Sequence, residues 1–265
     1  MFLAIDTGNS DIKGGLFDGD KLVHFWRMPT PDFASFFVPF TKPFTGAAGA
    51  SDSSEATQRA LDRVSAVYVS SVVPGVNHGL AQLIENTLAL EPVFIHAGMP
   101  GTGITFGGVD PSELGADLFA NAVAARSLFR GEDCLSVDLG TASTFCAING
   151  DGLYRGTTIV PGMRLALEAL TAGAAMLPDI PLAPTDNIIN TDTVACLQSG
   201  IYYGYSALVD GLVEKIKAEQ GPRRVILTGG IGAVLAPHLQ TIDNHISDLT
   251  LQGLRFIHGQ YHYQD

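Results

Sequence analysis

The same short pattern occurs twice in this chain of 265 residues, once at its start and once near its middle. In each copy an apolar run leads into an aspartate and a glycine turn, Asp6-Thr-Gly-Asn in the first and Asp138-Leu-Gly-Thr in the second. Another strand-like run and a second glycine turn follow, at Gly19 and at Gly152. One Asp-x-Gly sequence alone is only a turn, but two in matching contexts predict an internal duplication.

Strand-like and helix-like segments alternate along the rest of the chain. Further strands are predicted over 66–73, 93–96 and 224–227, and helices over 76–90, 110–129, 163–177 and 193–220. Such alternation is typical of an α/β protein. We therefore expect an α/β fold of two duplicated halves, residues 1–115 and 116–265, with a cleft between them.

The helix predicted over 110–129 begins with typical capping residues. Asp110 is a good N-cap, a proline follows it, and Glu113 occupies the third helical position. Because residues spaced by four lie one above the other, Glu113, Asp117 and Asn121 are expected on one helical face. That face either lines a site or is a solvated polar stripe.

The charge balance limits the classes of partner. Fifteen Lys and Arg against 27 Asp and Glu leave a formal net charge of -12, which repels nucleic acid and anionic membrane surfaces. We expect neither as a partner. An anionic ligand would need backbone N–H groups, a metal ion or a few well-placed cations.

The cysteines and the apolar runs indicate the compartment. Cys134, Cys146 and Cys196 form no Cys-x-x-Cys pair and are expected to be reduced. The sequence contains no signal-peptide pattern and no apolar run long enough to span a membrane. We therefore expect a cytoplasmic protein.

The two aspartate turns have the residue types that bind the phosphates of ATP. Gly8 and Gly140 let the backbone approach phosphate closely, Lys13 supplies a cation, and Asp6 can hold Mg²⁺ through water. Polar side chains come from Thr7, Asn9, Ser10, Thr141 and Thr144. The sequence has neither Gly-x-x-x-x-Gly-Lys-Ser/Thr nor Gly-x-Gly-x-x-Gly, which argues against a P-loop or Rossmann nucleotide site.

A segment over 29–57 is rich in Pro, Gly, Ala and Ser. Its first half concentrates the aromatic residues Phe33, Phe36, Phe37, Phe40 and Phe44. We interpret the segment as a long excursion that either forms a partner surface or packs its rings into the core.

Several motifs follow one another in the order seen in a known family. They are Asp6-Thr-Gly-Asn-Ser, Ser70-Ser-Val-Val-Pro, Gly115-Ala-Asp, Asp138-Leu-Gly-Thr-Ala-Ser-Thr, Ile159-Val-Pro-Gly and Gln198-Ser-Gly. With them the chain resembles the type III pantothenate kinases, or Bvg accessory factor family, within the superfamily of actin, Hsp70 and the sugar kinases. The resemblance extends from about Phe2 to Leu235 and implies two RNase H-like, actin-like ATPase domains.

This resemblance implies ATP-dependent phosphorylation of pantothenate, the first step of coenzyme A biosynthesis, by a homodimer that needs Mg²⁺ and a monovalent cation, K⁺ or NH4⁺. Asp117 would be the general base, and Asp138 would hold the monovalent cation. ATP contacts would come from the segment Asp6 to Lys13, from Thr141, and from Gly229 in the Thr228-Gly-Gly turn. Substrate contacts would come from Gly115, Ala116, Asp117, Leu118 and Thr193.

One position departs from the family pattern. The family has Gly-x-Asp-Arg, with the arginine gripping the substrate, whereas this chain has Leu118 after the aspartate. Arg126, Arg155 and Arg164 are candidate substitutes. The alternatives to a pantothenate kinase are a nucleotide-binding regulatory or accessory protein without the kinase reaction, and a kinase of another small hydroxy compound.

Overall fold

The structure is a computed structural model that describes residues 1–36, 60–174 and 177–262. Its strands are β1 (Phe2–Thr7), β2 (Asp11–Asp18), β3 (Lys21–Pro29), β4 (Ala66–Ser71), β5 (Val93–Phe94), β6 (Thr105–Phe106), β7 (Cys134–Leu139), β8 (Ala142–Ile148), β9 (Leu153–Pro161), β10 (Arg224–Thr228) and β11 (Asn244–His245). Its α-helices are α1 (Pro74–Leu88), α2 (Ala116–Leu128), α3 (Met163–Gly173), α4 (Thr193–Gln220), α5 (Gly232–Leu235) and α6 (Leu249–His262).

The chain divides into two compact units, each with one mixed sheet. The described residues of the first unit fall within the ranges Met1–Thr102, Asp110–Ala124 and Thr250–Asp265. Those of the second unit fall within Gly103–Val109 and Ala125–Leu249.

The sheet of the first unit has the strand order β3-β2-β1-β4-β5. The central strand β1 is apolar except at its end and is buried along its whole length. Because successive side chains point to opposite faces, Leu3 and Ile5 pack into a core with Trp26. On the other face, Phe2 stacks on His258 of α6 with ring centroids 4.4 Å apart.

The sheet of the second unit has the strand order β11-β10-β7-β8-β9-β6. Leu135, Val137 and Leu139 of β7 lie in its core together with Tyr202 and Val209 of α4. The helix α4 is one long amphipathic element, and Gly221, which caps its C-terminus, has a left-handed conformation with φ 68°.

The two sheets repeat the same arrangement around β1 and β7. Each of these strands pairs antiparallel with the next strand along the chain and parallel with a later one, β4 or β10. The expected α/β fold built from a repeated strand, turn and strand pattern is thereby confirmed. The repeat also puts Asp6 and Asp138 at equivalent places on the central strands.

The helix predicted over 110–129 is broken in the structure. Pro111–Glu113 form a single 3-10 turn capped by Asp110, Leu114 has an extended backbone with ψ 124°, and α2 begins only afterwards. The capping residues mark a helical start, but they do not determine how far the helix continues. Glu113 therefore lies outside α2.

Other boundaries also differ from the prediction: the strand predicted over 93–96 ends at Phe94, and the helix predicted over 76–90 is observed over Pro74–Leu88. The strand predicted over 66–73 ends at Ser71, because Pro74 already begins α1. The helix predicted over 163–177 ends at Gly173. Within the described ranges, no helix is both long and apolar enough to cross a membrane.

The start of the segment over 29–57 packs against the first sheet. Thr30–Ser35 form a 3-10 helix, and Phe36 is completely buried with its ring centroid 5.2 Å from that of Trp26. For Phe36, core packing was the right interpretation. The predicted excursion over 37–57 lies outside the described residues.

Candidate active site

The first glycine turn closes the end of β1. The backbone N–H of Gly8 donates to the Asp11 carbonyl over 2.9 Å, and the Thr30 hydroxyl donates to the Gly8 carbonyl over 2.6 Å. A Cβ on Gly8 would lie only 3.3 Å from the Asp11 carbonyl oxygen. Asn9 and Ser10 are exposed at the tip. The turn thus offers backbone and polar groups to a ligand.

Asp6, at the end of β1, forms an ion pair with Lys13 on β2. The Lys13 Nζ lies 3.4 Å from the Asp6 Oδ2, and their side chains are 19% and 9% exposed. The two residues are direct partners in the antiparallel register. Since a largely buried carboxylate is costly without a compensating charge, Lys13 stabilises Asp6.

Two residues next to Asp6 have buried hydroxyl groups: Thr7, which follows it in the chain, and Ser70, which pairs with it across the sheet. Within the part of the chain that the structure describes, neither Thr7 Oγ1 nor Ser70 Oγ has a hydrogen-bond partner. Ser70 pairs with Asp6 in the parallel register of β1 and β4, so the two side chains lie on the same face of the sheet. Thr7 lies on the opposite face.

Asp117 lies in the first turn of α2, where the helix dipole favours a negative charge. Its Oδ1 accepts a hydrogen bond from the backbone N–H of Leu118 over 2.8 Å. A Cβ on Gly115 would come 2.5 Å from this Oδ1 and 3.5 Å from the Val72 side chain. The Val72 N–H in turn donates to the Thr7 carbonyl over 3.1 Å. These contacts bring Asp117 to the edge of the sheet where the first glycine turn begins.

The residues of α2 from 118 to 125, which follow Asp117, are buried. Leu118 is 9% exposed. Asn121 is 1% exposed and accepts a hydrogen bond from the Thr250 hydroxyl of α6 over 2.9 Å. The predicted shared face is therefore wrong for Glu113, which precedes the helix, whereas Asp117 and Asn121 lie four residues apart on α2.

The second glycine turn holds Asp138 and Thr141 in a similar setting. The N–H of Gly162 donates to the Thr141 carbonyl over 3.0 Å, and the Thr141 side chain is exposed. Gly229 has a φ of +93°, and a Cβ there would come 2.5 Å from the Asp138 Oδ1. The close approach of Gly229 to the carboxylate therefore requires glycine.

The residue paired with Asp138 on the adjacent antiparallel strand differs in charge from the residue paired with Asp6. The antiparallel partner of Asp138 is Thr144, at the position that Lys13 has in the first unit. Thr144 Oγ1 is buried and has no hydrogen-bond partner within the described ranges. The second unit thus has a neutral hydroxyl where the first has an ammonium group.

Thr193 is the first residue of α4 and is exposed. Asp192 caps this helix by accepting a hydrogen bond from the Ala195 N–H over 3.0 Å. The Ser199 hydroxyl donates to the Ile188 carbonyl over 2.6 Å and holds the segment that leads into the helix. Hydrogen bonds therefore hold the backbone both before and after Thr193.

Of the three candidate substitute arginines, one is ion-paired and one is packed beside a glycine within the second unit. The Arg155 Nη2 lies 3.3 Å from the Asp133 Oδ2. The guanidinium of Arg126 fills the space beside Gly103, where a Cβ would come 2.5 Å from Nη1. Arg164 is exposed on α3 and has neither ion pair nor hydrogen bond among the residues that the structure describes. Of the three, Arg164 is therefore the one that is exposed and has no ion pair within the described residues.

Sequence reasoning did not single out Ser70 or Thr30 as site residues. Ser70 belongs to a recognised motif, but its register against Asp6 depends on pairing between strands distant in the chain. Thr30 reaches Gly8 from 22 residues away, and no local pattern marks that contact.

Solved structures similar to this chain show the actin-like ATPase fold. A putative Baf family transcriptional activator from Campylobacter jejuni superposes with a TM-score of 0.57 at 16% identity, over 98% of this chain and 99% of that one. The activator of 2-hydroxyisocaproyl-CoA dehydratase from Clostridium difficile, solved with ADPNP bound, has a TM-score of 0.51 at 11% identity, over 99% and 96%.

Sequence comparisons identify the family. A protein of Exiguobacterium described as type III pantothenate kinase is 40% identical over 260 residues, 97% of this chain and 98% of the relative. A Myxococcus xanthus protein of the same description is 37% identical over 265 residues, 99% of both chains. The family model described as type III pantothenate kinase matches residues 2–215. The chain therefore belongs to the type III pantothenate kinase family.

Proposed function

We propose that this chain transfers the γ-phosphoryl group of ATP to the hydroxyl group of pantothenate, giving 4'-phosphopantothenate for coenzyme A biosynthesis. The observation that carries the proposal is the position of Asp117, held at a helix N-terminus near the first glycine turn. Phosphoryl transfer depends on positioning and electrostatics, so it needs a base at the attacking hydroxyl and donors around the phosphates.

In the proposed reaction, Asp117 accepts the proton of the pantothenate hydroxyl. That oxygen forms its bond to the γ-phosphorus as the bond between the γ-phosphorus and the bridging oxygen breaks, which leaves ADP. Asp117 is suited to this role because one of its oxygens is held by the Leu118 N–H and its position is limited by Gly115.

The phosphates of ATP would be bound by the two glycine turns. In the first turn the proposed contacts are Asp6, Thr7, Gly8, Asn9, Ser10 and Lys13, and in the second unit they are Thr141 and Gly229. The exposed tip of the first turn and the exposed Thr141 support this assignment. Lys13 would exchange its ion pair with Asp6 for a contact to phosphate.

The carboxylates of Asp6 and Asp138 would hold the cations. We assign Mg²⁺ to Asp6 through water, and a monovalent cation, K⁺ or NH4⁺, to Asp138. The Ser70 hydroxyl beside Asp6, which has no hydrogen-bond partner among the described residues, supports the assignment of a water-bound Mg²⁺ to Asp6. A bound Mg²⁺ neutralises phosphate charge during transfer.

The acceptor alcohol would lie against Gly115, Ala116, Asp117 and Leu118, with Thr193 as a further contact. The buried Leu118 supplies an apolar surface in place of the family arginine. For the contact with the pantothenate carboxylate we propose Arg164, because it is exposed, whereas Arg155 is paired with Asp133 and Arg126 is packed beside Gly103.

A coupled assay of ADP release with millimolar pantothenate, Mg²⁺ and K⁺ or NH4⁺ tests the proposal. We expect turnover, and we expect Asp117→Asn to reduce kcat by about 10²- to 10⁴-fold, the usual contribution of a general base. Asp110→Asn is the matched control, because Asp110 only caps the preceding turn. Nucleotide binding without pantothenate turnover would favour a regulatory protein, and turnover of another alcohol alone would favour a different kinase.

The proposed oligomer is a homodimer, and the proposed compartment is the cytoplasm. Large apolar side chains of the second unit are exposed, at Ile159, Leu165, Leu170, Ile188 and Ile189. Where such side chains form one contiguous patch, they mark a protein contact surface. The three unpaired cysteines fit a reducing compartment. Analytical ultracentrifugation of the purified chain tests the dimer.

A further inference from the structure

Lys13, Asp6 and Ser70 form a row across three neighbouring strands of the first sheet. Asp6 on β1 pairs with Lys13 on β2 and with Ser70 on β4, so the three side chains lie side by side on one face. Lys13 is in ion-pair contact with the Asp6 carboxylate from one side. Ser70 flanks the same residue from the other side.

The Ser70 hydroxyl is in an unfavourable state in this structure. It is 0% exposed and, within the described part of the chain, has no hydrogen-bond partner. Burying an unpaired hydroxyl costs free energy, and an alanine would fill nearly the same space without that cost. The next residue, Ser71, shows the contrast, because its hydroxyl accepts a hydrogen bond from the Val73 N–H over 3.2 Å.

We propose that Ser70 is a positioning residue for Asp6, whose hydroxyl donates to the Asp6 carboxylate once Lys13 has turned to the phosphates of the nucleotide. This inference rests on the proposed function, since it concerns the nucleotide-bound state. When Lys13 leaves, the buried carboxylate loses its neighbouring cation and needs another donor to hold it towards metal-bound water. Ser70 is the adjacent donor in the sheet register.

The test is the Mg²⁺-dependent binding of a non-hydrolysable ATP analogue, measured by calorimetry on the full chain. For Ser70→Ala we expect about tenfold weaker binding in Mg²⁺, the usual effect of losing one hydrogen bond to a charged group, and unchanged binding without Mg²⁺. We also expect the denaturant midpoint of the free protein to stay the same or to rise, because the substitution removes an unpaired buried hydroxyl.

Ser71→Ala is the matched control. It removes a neighbouring hydroxyl that is hydrogen-bonded, so it is expected to lower the denaturant midpoint and to leave Mg²⁺-dependent binding unchanged. Equal affinities of the wild type and Ser70→Ala for the nucleotide in Mg²⁺ would overturn the proposed role of Ser70 but not the proposed function. A lowered denaturant midpoint of the nucleotide-free Ser70→Ala protein would do the same. If the wild type binds no nucleotide, both the proposed function and this inference fail.

Discussion

Gly115 lies directly against the carboxylate of Asp117, so close that a Cβ at Gly115 would come 2.5 Å from the Asp117 Oδ1. Real Cβ atoms do not approach an oxygen to that distance, and any side chain at 115 must move the carboxylate. The position of the proposed base is therefore set by a glycine two residues before it.

Gly115→Ala is expected to lower kcat by about a hundredfold, because a displacement of the base by about 1 Å is enough to lose that much rate. The fold should persist, since the clash is with the end of one side chain. Gly75→Ala is the control, because a Cβ at Gly75 meets nothing within 4 Å. Steady-state kinetics and the circular dichroism spectra of both variants give the answer, and an unaffected kcat in Gly115→Ala would contradict the assigned base.

Lys13→Met is expected to weaken binding of Mg²⁺–ATP by at least about tenfold, since it removes a charge-assisted contact to phosphate. Lys21→Met, on the exposed start of β3, serves as the control for a simple change of net charge. Calorimetry with the non-hydrolysable analogue measures both affinities. Similar losses in the two variants would mean that Lys13 acts only through the overall charge.

Gly229→Ala should impair the Asp138 site. A side chain at φ +93° costs about 1–3 kcal/mol of backbone strain, and its Cβ would come 2.5 Å from both the Asp138 Oδ1 and the Leu139 backbone nitrogen, so both must move. We expect the K⁺ or NH4⁺ concentration for half-maximal activity to rise. Gly211→Ala, in the open part of α4, is the comparison, and its cation dependence should match that of the wild type.

Thr250→Val is expected to lower the free energy of unfolding by about 1–3 kcal/mol, because it takes away the hydroxyl that donates to the buried Asn121. Thr250→Ser keeps the hydroxyl and should lose less. Urea titrations of the three proteins compare the values. Equal stability of wild type and Thr250→Val would show that the bond between α2 and α6 contributes nothing.

Stability at alkaline pH should depend on Cys134. Burial, assisted by the charge of Glu132, raises the pKa of this thiol to about 12, whereas an unfolded cysteine titrates near about 8.5. Since the folded pKa is the higher one, the contribution to stability is complete below about pH 8.5 and is lost as the pH rises towards 12. The urea midpoint of Cys134→Ala should therefore fall less between these two pH values than that of the wild type.

The two kinds of cysteine should also differ in reactivity. In the native protein the exposed Cys196 should react with thiol reagents before the buried Cys134.

The amino-acid pattern was enough to predict the two strand-turn-strand repeats, the α/β class and the family. These features depend on local signals, namely apolar runs of strand length, the two Asp-x-Gly turns and the order of motifs along the chain. The start of the 3-10 turn at Asp110 was also local, since capping involves residues only two or three apart.

Contacts between distant residues needed the folded chain. The extended Leu114 breaks the predicted helix, and the bond from Thr250 to Asn121 joins residues 129 positions apart. Likewise, only strand pairing puts Ser70 beside Asp6. Strand register and helix packing arise when the apolar faces of separate segments are buried against each other. The residue pattern of one segment does not specify which other segment it will pack against.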